Sequence, residues 1–236
     1  MHYPARTLAY VCELLHPPVA GDPAAIQKLH NKLFASGSPA YTSFAVTQAG
    51  TVLSNPTTRP GAVSAVAFLA DRIQFREELG SITWEEFAVR VRGISEEVAR
   101  LRNLSAFLAQ QVTVRTLVNP RASKDSRAFL KDHLLGFGDE LEAFGRAPAF
   151  YGLRMVFPAV GESVTSETNN AFVLRLESYN NDVRSLYLEN QGTFGGMAVE
   201  PGGLGVLEQN IEATYRFVTE RAVAFVRAFD ERAVGE

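Results

Sequence analysis

The chain has 236 residues, with 23 Lys plus Arg against 26 Asp plus Glu, a net charge of −3, and 46 % hydrophobic residues. A chain this long buries enough apolar surface to need no metal or disulfide staple, and the lone Cys12 excludes an intramolecular disulfide. The charge balance supplies no positive field for a polyphosphate backbone, and no apolar run approaches the roughly twenty residues that span a bilayer, so nucleic acid and membrane are both disfavoured as partners.

Thr7 to Leu14 sets Leu8, Tyr10, Cys12 and Leu14 against Thr7, Ala9, Val11 and Glu13, which predicts a strand ended by Pro17-Pro18. The apolar run after Arg6 is too short for a signal peptide, and cytoplasm is the expected compartment. Asp22-Pro23 then predicts an N-cap with proline at the first helical position, with Ile26, Leu29, Leu33 and Phe34 as the apolar stripe of a helix to about Ala35. Tyr41 to Asn55 alternates around a turn at Gly50, predicting a hairpin, and residues 55–61 (NPTTRPG) form a loop. Val63 to Leu79 is expected as one long β segment, with Ile73 and Phe75 facing one way and Arg72, Gln74, Arg76 and Glu78 the other.

Thr83 with Glu86 three residues on is a capping box. Trp84, Phe87, Val91, Ile94, Val98 and Leu101 follow at steps of three and four, one face of a helix running to about Asn103. Burying six such side chains yields on the order of 10 kcal/mol gross, before conformational entropy opposes it.

The order then repeats. Val112, Val114, Thr116 and Val118 share a strand face ended by Pro120, and Asp125 or Ser123 caps a helix bearing Phe129, Leu130, Leu134 and Phe137. Phe150 to Phe157, Phe172 to Glu177 and Ser185 to Glu189 alternate as strands, with a polar loop from Gly161 to Asn170 and a turn at Asn180-Asn181-Asp182. Gly192 to Gly205 is expected as a flexible connection or flap. Leu207, Ile211, Val218, Ala222, Phe225 and Phe229 mark the longest helix.

Each half thus reads strand, helix, about three strands, long helix, with the break near Leu104. The expected fold is α+β, a duplicated unit over residues 1–104 and 105–236 forming an extended or curved antiparallel sheet with helices on one face. One continuous globular body by pseudo-duplication is favoured over two separate ones.

Candidate chemistry centres on five strand arginines, Arg72, Arg76, Arg115, Arg154 and Arg175, all on polar strand faces with Glu78, Glu177 and Glu189 nearby. They form either a ligand-binding clamp for a carboxylate or phosphate or, by the stronger expectation, cross-strand ion pairs on a solvated face. His2, His16, His30 and His133 have no metal-ligand spacing, there is no Gly-x-Ser-x-Gly, and Cys12 sits among apolar neighbours, so no metal, cofactor or catalytic residue is assigned. The pairs Glu77-Glu78 and Glu96-Glu97 read as solvated surface, and Glu85-Glu86 as a helix first turn.

The stretches DRIQFREELGSITWEEF and VTVRTLVNPRASKDSRAFLKDHL resemble a family of sporadically distributed, uncharacterised bacterial proteins of this size. In that family a strand ending Leu-Arg-Tyr-x-Asn precedes a short helix. Arg115, Thr116, Val118 and Asn119 occupy the comparable place, with Thr116 departing from the aromatic. The resemblance implies a stand-alone bacterial protein and no mechanism. The expected function is a non-catalytic ligand- or partner-binding module, which leaves room for a homodimer. The alternative is an enzyme acting on an anionic small molecule held by the arginines.

Overall fold

A computed structural model describes residues 5–37, 39–57, 59–159, 171–198 and 203–235. Its strands are β1 Arg6–Leu15, β2 Ser43–Val46, β3 Thr51–Ser54, β4 Val63–Phe68, β5 Arg72–Glu78, β6 Ala106–Phe107, β7 Ala109–Val118, β8 Gly152–Phe157, β9 Ala171–Ser178, β10 Leu186–Phe194 and β11 Met197–Ala198. Nine of them form one antiparallel sheet in the order β2-β3-β4-β5-β1-β7-β10-β9-β8, and β6 and β11 form a separate two-stranded ladder.

The sheet is built outward from its middle. β1 and β7, each ten residues long, pair with each other and then with β5 on one side and β10 on the other. Their alternation dictates which face is covered: Tyr10, Cys12 and Leu14 and, opposite, Val112 and Val114 are buried, while Val11, Glu13, Gln111 and Thr113 point the other way. A register shift between Thr7 and Ala9 bends the start of β1.

The covered face carries α1 Pro23–Ala35, α2 Trp84–Arg102, α4 Gly205–Arg216 and α5 Val223–Gly235. α2 begins on the capping box at Thr83 and Glu86 and ends on Asn103 in the left-handed conformation. Its stripe is core: Phe87, Val91 and Val98 are fully enclosed. Trp84 stacks on Tyr215 with centroids 5.7 Å apart, and Arg92 bonds Glu208 at 3.1 Å, so α2 and α4 run antiparallel side by side. A π-helical stretch, Phe217–Ala222, joins α4 to α5 and continues the helix to Gly235. α3 Ser126–Ala128, capped by Asp125, runs on as a second π-helical stretch, Phe129–Leu135, closed by Gly136 at φ 64°.

Four expectations need correction. Val63 to Leu79 is two strands, folded back at Ala70-Asp71 where Leu69 N–H bonds Arg72 O at 2.9 Å; no Gly, Pro or Asn marks that turn. Phe34 and Phe137 are exposed instead of joining their helical stripes, because each falls at the last turn of its helix or beyond it. Gly192 lies inside β10, not in a flexible connection: a Cβ there would meet Thr214 Oγ1 at 2.5 Å, so only glycine lets α4 lie this close to the sheet. The expected flap is further shortened by β11, while residues 199–202 lie outside the described residues, as does the polar loop at 160–170. Glu77, expected on a solvated surface, is 4 % exposed and faces the helix side. No helix among the described residues is long and apolar enough to cross a membrane.

Candidate functional site

The uncovered face of the sheet collects the polar positions of six neighbouring strands, β5, β1, β7, β10, β9 and β8. Register brings Glu13 between Gln74 and Gln111, Val11 between Arg76 and Thr113, and Ala9 between Glu78 and Arg115; Arg115 then faces Glu189, which faces Arg175, which faces Arg154. Between β5, β1 and β7 this face holds a shallow cleft of about 290 Å³ lined by Val11, Glu13, Gln74, Arg76, Glu78, Gln111, Thr113 and Arg115. The cleft exists because two small neighbours, Val11 and Thr113, sit among the longer side chains of Glu13, Arg76, Gln111 and Arg115.

Four of the five arginines singled out from the sequence are engaged by carboxylates. Arg72 forks onto Asp71 at 3.0 and 3.1 Å and reaches Glu13 at 3.4 Å. Arg76 holds Glu78, Arg115 bonds Glu189 at 2.8 Å and lies 3.6 Å from Glu78, and Arg175 spans Glu177 at 2.7 Å and Glu189 at 3.2 Å. Arg154, on the edge strand β8, has no hydrogen bond or ion pair among the described residues.

Glu189 is the hub. Burial pushes its carboxyl up, but the hydrogen bonds from Arg115 and Tyr187 and the charges of Arg115 and Arg175 outweigh that and hold it below the usual range. Such locked, mutually neutralised charges orient the face more than they attract an anion. Because Arg175 is nearly half exposed, Arg175→Met is expected to change stability by less than about 1 kcal/mol, read by urea denaturation. A loss of several kcal/mol would show a network much stronger than this exposure allows.

Around the cleft, Gln111 and Thr113 make no side-chain hydrogen bonds among the described residues, and neither does the neighbouring Gln191, so their donors and acceptors are available to a partner. Gln74, by contrast, donates to Glu13 at 2.6 Å.

A second polar centre lies on the opposite face, where β4, β5 and α2 meet. Glu77 Oε1 accepts from Ser64 Oγ at 3.0 Å, from Tyr41 O–H at 3.3 Å and from Arg90 Nη1. Asn55 orients Ser64 by donating to its Oγ at 2.9 Å and to Ala40 O at 2.8 Å. Arg90 lies over the Tyr41 ring, 5.2 Å from its centroid. Burial raises the Glu77 carboxyl above the usual carboxylate range, and Arg90, Ser64 and Tyr41 only partly offset it. Sequence reasoning missed this centre because Glu77-Glu78 breaks the alternation of β5 with two adjacent charges. A strand must send one of two adjacent residues inward, which was the available signal.

The remaining candidates are structural. Cys12 is fully enclosed beneath α4, and burial pushes its thiol up to about 12, far from a reactive thiolate. His16 is buried with Nδ1 2.8 Å from Pro17 O, and His133 lies beside Phe129 with ring centroids 5.8 Å apart. Among the described residues no group of three or more His, Cys, Asp and Glu side chains is placed to hold a metal ion. No protein-family model matches this chain, and no curated protein matches it.

Proposed function

We propose that this chain is a non-catalytic binding module that presents the open face of its sheet to a partner. The observation that carries the reading is an uncovered nine-stranded face whose central cleft combines locked charges with unspent amide and hydroxyl groups on Gln111 and Thr113. Charges already neutralised in place favour a partner that is polar but uncharged, such as a Ser-, Thr-, Asn- or Gln-rich protein segment, over an anion. The alternative, an enzyme gripping an anionic small molecule, draws support only from Arg154, whose neighbour in register is Arg175.

The same chain order supports the proposal of an internal duplication of residues 1–104 and 105–236. β1 through α2 and β7 through α5 each run long strand, helix, meander, long helix, and in each the last meander strand pairs with the first. A two-fold through the Cys12–Val112 pair relates Gln74 to Gln191 and Ala9 to Ala109, while Val11, Glu13, Arg72 and Arg76 fall on Gln111, Thr113, Glu189 and Thr193. On this proposal the halves have kept the backbone plan and few of the side-chain identities.

Thr113→Trp tests the binding site, since it fills the cleft from a solvent-open face without touching the core. In a thermal-shift screen of polar peptides and metabolites, a partner at 100 times its dissociation constant adds about 2.7 kcal/mol to the wild type. That gain is expected to vanish in Thr113→Trp. A ligand shift of equal size in the variant places the site elsewhere.

A further inference from the structure

We propose that the Glu77–Arg90 centre is a second binding site, taking an uncharged head group that presents an N–H donor beside a carbonyl acceptor, as carboxamides, ureas and lactam bases do. It opens on the other side of β5 from the open-face cleft, and Glu78 is the one lining residue the two share.

Two carboxylates are buried among the described residues, and their surroundings differ. Asp230 spends one oxygen on the backbone N–H groups of Arg121 and Ala122 at 2.8 and 2.7 Å, which explains it as a structural tie. Among the described residues Glu77 gathers three donors on Oε1 and receives none on Oε2, and that oxygen is not sealed off. The carboxylate lines a cleft of about 220 Å³ together with Ser64, Glu78, Gly80, Ser81, Ile82 and Arg90, and the Glu78 carboxylate is already spent on Arg76 and Arg115. Arg90 is likewise half spent: Nη1 goes to Glu77, whereas Nε and Nη2 make no hydrogen bond among the described residues.

The cleft therefore offers one strong acceptor beside one strong donor, both charged and already neutralising each other. A cation placed on Glu77 meets Arg90, and an anion placed on Arg90 meets Glu77, each at close range. A neutral donor–acceptor edge satisfies both without adding charge, and charge-assisted bonds of this kind are the strong ones. The volume is below that of pockets enclosing a drug-sized molecule, so it fits a head group alone.

The frame is also built to hold its shape. Asn55 fixes Ser64, Tyr41 backs Arg90, and Leu79, between the lining residues Glu78 and Gly80, is held at φ 51° by its N–H on Leu8 O at 2.6 Å and by Arg59 on its carbonyl. A branched residue in that backbone region stores strain, which accumulates beside ligand clamps. An ion pair kept for stability alone has no need of these features, since an apolar pair of similar volume does that as well or better.

The test is an isosteric series, benzamide, benzoate and benzamidine, titrated into the full chain by ligand-observed NMR, with nicotinamide as a second carboxamide. Saturable binding of the two carboxamides in the millimolar range, with benzoate and benzamidine at least tenfold weaker, is the expected result. Two variants localise it. Glu77→Gln weakens the carboxamides by about tenfold, the loss of one charge-assisted bond. Gly80→Trp blocks the cleft mouth without touching the network; a Cβ at Gly80 lies 3.9 Å from Ile82, so a side chain is accommodated. Preferential binding of benzoate or of benzamidine overturns the proposal, as does the absence of carboxamide binding at 20 times the millimolar range. Carboxamide binding that survives Gly80→Trp, with a melting curve showing the variant folded, overturns it equally.

Discussion

Val91→Asp is expected to abolish the cooperative thermal transition of this protein at neutral pH. Val91 is fully enclosed at the middle of the α2 stripe, over the central strands, with Phe87, Ile94 and Val98 around it. The substitution removes about 1.5–3 kcal/mol of apolar burial and places a carboxylate with no partner in the core, a cost of several kcal/mol more. Against a total stability of about 5–15 kcal/mol, that is enough to empty the native state or nearly so. Val89→Asp on the same helix is the control: Val89 is 57 % exposed, and its replacement is expected to stay within about 0.5 kcal/mol. Circular dichroism melts of the two variants decide the matter. A Val91→Asp midpoint within a few degrees of wild type would show that α2 does not carry the core.

Arg90→Met is expected to destabilise the fold by about 3 kcal/mol near neutral pH, and by progressively less as the solution is made acidic. The sign follows from Glu77. Its folded carboxyl titrates above its unfolded value because burial disfavours the charge, so the stability this group contributes is fully present below the unfolded pKa and is lost as pH rises through the folded one. Removing Arg90 takes away the principal opposing charge and lifts the folded value further, which widens the loss on the alkaline side. Below both values the carboxyl is neutral, and only the packing of Arg90 over Tyr41 remains to be missed. Urea denaturation of wild type and variant across acidic to mildly alkaline pH measures the difference. A deficit that stays constant with pH would mean that Arg90 acts through that packing and not through its charge.

What was legible in the chain follows from local rules. The helix at Trp84–Arg102, its capping box, the Asp22 cap and the alternation of Tyr10, Cys12 and Leu14 each depend on residues within one or two turns, or two positions, of one another. The strand arginines were legible in the same way, because side chains at i and i+2 share a face. Glu78, Glu177 and Glu189 were legible as neighbouring charges, but which arginine each meets across strands was not: the Arg115–Glu189 pair joins residues 74 apart in sequence, and it forms only because β7 and β10 lie side by side in one register. Ala70-Asp71 turns a hairpin with no Gly, Pro or Asn, and Asp71 alone is a weak local signal.

Two misreadings share one cause. The sequence around Gly192 is rich in glycine and reads as loose chain, yet the glycine is there because α4 brings Thr214 within 2.5 Å of where its Cβ would stand. Glu77 reads as surface charge, yet it is drawn inside by the pleat and met there by Tyr41, Ser64 and Arg90 from three other segments.

By itself, the sequence determined the α+β class, the antiparallel strands, the positions of the long helices and the face each element turns to the core, because periodicity and capping are set by nearest neighbours along the chain. Tertiary structure decided the strand order, the pairing of β1 with β7 at the centre, and the neutralisation of the arginine row on the open face. It also decided the gathering of Glu77 and Arg90 into one cleft. Those outcomes depend on which distant segments pack together, and on the low dielectric their packing creates, neither of which is carried by any short stretch of residues.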